Sequence, residues 1–296
     1  MKKFMVAATT LALTGAWVAV AQAANVQGSS SNNAMLVIDK SDFPPFVNPL
    51  EKAGLRVKYE NDKESGTIDI FGGPVTQVRN AAKANEAGAF FAKLPLLPIF
   101  NVAQVWYNDQ NPTANVYSIR QLMKPPFGAW PEFGGLVVGQ VKGTESGQGV
   151  YFGEWSKAVS TPTQSDSTDL HMTATDRIVW YVGDNAVTTM PTLVNAQYKV
   201  VGIHLTGTND NLPHAPNLYG GTLTANYSAG HGAITGAISR GSHNVDFNGT
   251  AIFADGTFKK DQLIEGRFYN EAAALAGIYT GGAANEHIAF GGSRSN

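Results

Sequence analysis

The C-terminal third of the chain keeps returning to glycine between short runs whose apolar residues fall at every second position. In residues 222–227, Leu223, Ala225 and Tyr227 share one side while Thr222, Thr224 and Asn226 share the other, the pattern of a half-buried strand. Residues 245–253 repeat it, with Val245, Phe247, Gly249, Ala251 and Phe253 expected inward and Asp246, Asn248 and Thr250 outward. Adding 178–182, 198–204, 232–239, 263–269, 274–279 and 287–291 gives eight strands. Eight antiparallel strands joined by short turns can close on themselves and so abolish exposed edges. The fold class expected is mostly β: a β-rich N-terminal part followed by an eight-stranded antiparallel barrel. Gly236, Gly249 and Gly266 are expected to relieve crowding inside a narrow barrel that side chains fill.

The N-terminus has the physics of an export signal. Lys2 and Lys3 precede a nearly unbroken apolar run from residue 5 to 20, and Ala21-Gln22-Ala23 supplies a small-x-small cleavage pattern. The run is short of the roughly 20 residues that a membrane-spanning helix needs. Removing the two lysines takes the formal charge from −2 to about −4, which argues against nucleic acid as a partner. There is no cysteine, so disulfides, thiol catalysis and a lipid-bearing cysteine anchor are excluded.

The expected organisation is a signal peptide over 1–23, an N-terminal handle that binds a ligand over 24–170, and the barrel over 171–296. The Ser/Thr/Pro-rich stretch 158–167 breaks the apolar periodicity and reads as the connection. Within the handle, 34–38, 55–59, 67–71, 105–107 and 149–155 read as strands and 77–93 as a helix. Two loops combine prolines with large rings: Asp42-Phe43-Pro44-Pro45-Phe46, and 123–131 with Phe127 and Trp130. Such rings either offer a flat apolar ligand a surface or plug the end of a β-sandwich.

Several segments together resemble a family. Trp180-Tyr181-Val182-Gly183-Asp184-Asn185, the run from Tyr198 to Ile203, Gly221-Thr222-Leu223-Thr224-Ala225, and Gly266-Arg267-Phe268-Tyr269 leading to Leu275-Ala276-Gly277 look like the C-terminal barrel shared by the lipoprotein half of transferrin-binding proteins and by hemophilins. Val150-Tyr151-Phe152-Gly153-Glu154-Trp155 is similar to the segment closing the hemophilin handle. Asn270 departs from the family, standing where a glycine usually follows Phe-Tyr. The resemblance implies export by an outer-membrane translocator of the surface lipoprotein assembly modulator family. It also implies a secreted heme carrier that passes heme to a TonB-dependent outer-membrane receptor. Other relatives serve host colonisation without heme.

Imidazole, tyrosinate and methionine sulfur are the side-chain groups that ligate heme iron in this setting. All six histidines lie at or after position 171. His171, in the connection, is the candidate iron ligand, and also reads as an unliganded loop residue. His204, at a strand end, and His214, after Pro213, are further candidates. Tyr107 and Met123 are the candidates within the handle, where both also read as core or rim residues. Phe43, Phe46, Phe127 and Trp130 would supply apolar contact, and Lys124 or Arg120 a propionate partner. No G-x-S-x-G, H-E-x-x-H or P-loop pattern is present in the sequence, and the expectation is a protein without enzymatic activity. The alternative to a heme carrier is an adhesion or host-colonisation factor using the same export barrel.

Overall fold

The computed structural model describes residues 25–42, 51–58, 66–88, 90–94, 97–123, 134–144, 147–157 and 167–295. The expected signal peptide, Phe43, Phe46, Lys124, Phe127 and Trp130 lie outside them. The first part comprises β1 (Gln27–Ser30), β2 (Leu36–Lys40), β3 (Ala53–Val57), β4 (Ile68–Asp69), α1 (Thr76–Ala81), β5 (Phe90–Leu94), β6 (Leu97–Asn108), β7 (Ala114–Gln121), β8 (Gly135–Val141), β9 (Val150–Ser156) and β10 (Ile178–Gly183). Seven of these strands form one antiparallel sheet in the order β1-β10-β9-β8-β7-β6-β5, and β2-β3-β4 form a second, smaller one. The second part comprises β11 (Leu193–Ile203), β12 (Tyr219–Ser228), β13 (His231–Arg240), β14 (His243–Asp246), β15 (Thr250–Ile252), β16 (Thr257–Lys260), β17 (Ile264–Tyr269), β18 (Ala274–Tyr279) and β19 (Ile288–Arg294).

The second part closes. β12 pairs with both β11 and β13, β11 pairs with β19, and the ring runs on through β18, β17, β16 and the broken strand β14/β15. Counting β14/β15 as one interrupted strand makes eight. The interior is packed with Tyr198, Leu223, Ile234, Ile238, Phe247, Phe258, Phe268 and Phe290, all nearly inaccessible to solvent. Gln197, Lys199, Asn226, Ser239 and Lys259 stand exposed on the outside. Apolar inside and polar outside is the reverse of a lipid-facing barrel.

Two expected details of the barrel are corrected. The strand at 178–182 is β10, which pairs with β9 and β1 in the seven-stranded sheet, not in the barrel. Its place is taken by β16, too short at four residues to show a period. The run 245–253 does not keep one phase. Val245 and Phe247 point inward as expected, but Asn248 and Gly249 make a turn, with φ +85° at Gly249. Thr250 and Ile252 are then buried, while Phe253 is 48% exposed. One residue out of register flips every side chain beyond it, because the strand period is two. Among the three inward glycines expected, Gly266 fits: a methyl there would strike the Phe258 ring.

The helix expected over 77–93 is one short turn and a half. Ala82 is extended and ends α1, Ala84 bridges to Tyr107, and Phe90–Leu94 joins the sheet beside β6. Paired aromatics and a glycine at 88 favour the pleated, half-buried surface over a longer helix.

The two parts meet over a shared core. Trp106, Val116, Val137, Phe152, Val179 and Tyr181 from one face of the seven-stranded sheet pack on Val201, Tyr269, Ala274, Ala276, Ile278 and Ala289 from the barrel wall. This explains why β18 is buried on both faces: Leu275 points into the barrel and its alanine neighbours face the sheet. Small residues permit the close approach, since a methyl on Gly291 would strike Phe152. Inside this seam lies an ion pair without solvent exposure. Glu154 accepts from Arg177 Nε at 2.8 Å and NH2 at 2.6 Å, and from the backbone N–H groups of Leu205 and Thr206. Arg177 also donates from NH1 to the Ala284 carbonyl and from NH2 to the His287 carbonyl. Strand β9, the residue before β10 and two barrel loops are thereby fixed to one another.

Candidate functional site

The other face of the seven-stranded sheet is covered by β2-β3-β4 and α1. Leu36, Leu55, Val57, Val75 and Val78 pack there against Val105, Tyr117, Ile119, Leu136, Val138, Trp155 and Trp180. Alternation places Tyr107, Asn115, Tyr117, Gln140 and Tyr151 on this inner face, and the register brings Tyr107 opposite Tyr117 and Asn115 opposite Gln140. Gln140 in turn stands opposite Tyr151. A polar cluster therefore sits at one end of an otherwise apolar layer.

Within it, the rings of Tyr107 and Tyr117 stack with centroids 4.9 Å apart and planes 2° from parallel. The Tyr117 hydroxyl donates to Gln140 Oε1 at 3.0 Å. Burial, then the neighbouring Tyr107, push its ionisation well above the ordinary tyrosine range, so Tyr117 stays a neutral donor. Arg79 of α1 is the cation whose field reaches it. Two buried polar atoms here have no hydrogen-bond partner: the Asn115 Oδ1 acceptor and the Gln140 Nε2 donor, on residues directly opposite in register. The indole N–H groups of Trp155 and Trp180, on the same face, are also unpartnered. Buried polar atoms are rarely left so.

The residues singled out from sequence are distributed as follows. Tyr107 belongs to this cluster and is half-buried. Met123 follows β7, and its carbonyl accepts from Gln121 Nε2. Tyr107 and Met123 are thus at opposite ends of the β6–β7 pair: Tyr107 lies opposite Tyr117, and the last row of the ladder, at Gln121, is already about 13 Å away at 3.3 Å per residue. His171 sits in the left-handed region at φ 60°, with its carbonyl bonded by Ser156 Oγ and its N–H donating to Asp169. Arg120 Nε donates to the Asp169 carbonyl on the barrel-facing side of the sheet. His171 and Met123 are therefore at the same end of the sheet, and Tyr107 is not with them.

His204 is in the barrel mouth with both ring nitrogens engaged. Nδ1 accepts from Arg240 NH2 at 2.6 Å, so Nε2 carries the hydrogen and donates to the Asn285 carbonyl at 2.8 Å. Burial and then the Arg177 charge push its pKa down to about 4, which keeps it neutral. Arg240 lies 4.6 Å from the Tyr219 ring centroid, and Tyr219 in turn contacts His243 Nδ1. His214 holds Asn108 through its carbonyl, while its Nδ1 is buried without a partner. Among the described residues, no group of three histidine or carboxylate side chains is placed to hold a metal ion.

Sequence reasoning missed Asn115, Tyr117, Gln140 and Arg79. The alternation Asn115-Val116-Tyr117-Ser118-Ile119 was the available signal, but it leaves open which face is buried. Asn270 has φ +51°, and Glu271 and Ala272 follow at +56° and +65°. Asparagine tolerates this region better than most side chains, and the Asn270 amide donates to the Gln148 carbonyl.

No family model matches the chain. A solved structure described as "Crystal Structure of Surface Lipoprotein" is similar, at 13% identity over 65% of this chain and 97% of that chain, with a TM-score of 0.29. Among the described residues, no helix is long and apolar enough to cross a membrane.

Proposed function

We propose that this chain is an exported, non-enzymatic heme carrier whose handle holds the ligand at the polar end of its inner face. The observation that supports this most is Tyr107. It is half-buried, it lies flat on Tyr117, and it borders a buried cluster with unpartnered amide atoms. Tyrosine oxygen is an established kind of heme ligand, and Tyr107 is the half-buried member of the cluster while the Val105, Ile119 and Val138 layer beside it is covered by β2-β3-β4 and α1. Arg79 is the cation at hand for a propionate. In this reading the barrel is the part engaged by a translocator of the surface lipoprotein assembly modulator family, and the receiver is a TonB-dependent outer-membrane heme receptor. The resemblance of the sequence to hemophilins supports both assignments.

A second reading, an adhesion or host-colonisation factor without heme, is favoured by the separation of His171 from Tyr107. Titrating the mature protein with hemin decides between them. The carrier gives a shifted Soret band that saturates at one equivalent and is lost or displaced in Tyr107→Phe. A spectrum that remains that of free hemin ends the heme reading and directs the search to host glycans and proteins. Co-expression with a translocator tests the export assignment separately, by moving the protein into the medium.

A further inference from the structure

Asp184 follows the last residue of β10 and is 2% exposed. Both of its carboxylate oxygens are taken by backbone donors from different segments: Oδ1 by the Ala53 N–H at 2.8 Å, and Oδ2 by the Gly149 N–H at 3.1 Å. Its own N–H donates to the Gly149 carbonyl at 2.8 Å. One side chain thus fastens the first residue of β3, in the sheet that covers the inner face, to the root of β9 in the sheet beneath. The charged and titratable groups that face it are Lys52 beside β3, Asp69 at the end of β4 and Tyr269 of β17. Neither Lys52 nor any other cation among the described residues is within ion-pair distance of it.

We propose that Asp184 is a proton-controlled clasp that fixes the β3 end of the handle's cover over the Tyr107–Tyr117–Gln140 cluster. Burial of a carboxylate with no cation among the described residues within ion-pair distance sets the direction, and the two N–H donors oppose it. Fastened, the carboxylate is removed from water, and burial pushes its pKa up to about 6 against the pull of the two N–H groups and Lys52. Released, it returns to the ordinary carboxylate value of about 3.9. The fastened state therefore binds the proton more tightly, so acid holds the clasp and neutral pH loosens it. Stabilisation from this group is complete below the released value and is lost as pH rises through the fastened one. Between about pH 5 and pH 7.5 the open fraction should rise about tenfold. The link to ligand release rests on the function proposed above, but the clasp itself does not.

Hydrogen exchange on the intact mature protein without ligand tests it, so a failed hemin titration would leave the result interpretable. After correction for intrinsic rates, the opening constant of peptides containing Ala53 and Gly149 is expected to be about tenfold larger at pH 7.5 than at pH 5. Peptides from β12 should show no such difference, and Asp184→Asn should abolish the pH dependence. Equal protection at the two pH values, or a dependence that survives in Asp184→Asn, overturns the proposal. Should that variant not fold, carboxyl NMR titration of the unmodified protein serves instead. An elevated value supports the clasp, and an ordinary carboxylate value overturns it.

Discussion

Arg177→Met takes the cation out of the seam while leaving Glu154 in place. Both side chains have no exposure, so water cannot replace what is lost. Glu154 would keep the N–H groups of Leu205 and Thr206 but lose both guanidinium bonds, and the carbonyls of Ala284 and His287 would lose their donor. Breaking a buried pair on one side costs about 3–5 kcal/mol. At roughly 2–4 °C per kcal/mol for a protein of this size, the melting temperature should fall by roughly 6–20 °C. The assay is thermal and urea unfolding followed by circular dichroism. The double variant Glu154→Leu/Arg177→Met removes both charges and strands only neutral backbone groups, so it should be more stable than Arg177→Met alone. A single variant within about 1 kcal/mol of the parent would show that the seam does not depend on this pair. A double variant less stable than the single one would refute the argument from stranded charge.

Three further outcomes are expected. Gly291→Ala should destabilise by about 1–3 kcal/mol in urea unfolding, because the new methyl meets the Phe152 ring where sheet and barrel touch. Ala229→Asn should stabilise by about 0.5–1 kcal/mol in the same assay, since Ala229 and Gly230 both have positive φ in the turn between β12 and β13, and asparagine tolerates that region better than alanine. His204→Ala should leave hemin affinity unchanged while lowering thermal stability, because both imidazole nitrogens already serve Arg240 and Asn285.

The barrel was legible wherever one face is buried and the other wet. Leu223, Ala225 and Tyr227 alternate cleanly with Thr222, Thr224 and Asn226, and the structure buries the first set. Where both faces are covered, a strand announces itself without saying which sheet owns it, and so β10 was assigned to the barrel. The flip after Phe247 was hidden because Gly249 carries no side chain to mark the inserted turn. The candidate site was legible in one residue, Tyr107. Its partners come from β7, β8 and α1, and only register and packing bring them together. The same holds for Glu154 and Arg177, which are 23 positions apart in sequence and 2.6 Å apart in the seam.

The inner face of the handle is the place proposed to hold ligand. Hydrogen exchange of the whole protein with and without one equivalent of hemin tests this most directly. New protection concentrated in β6, β7 and β8, around Tyr107, Tyr117 and Gln140, is the result expected. Protection confined to the barrel, or no change in exchange with hemin present, would contradict it.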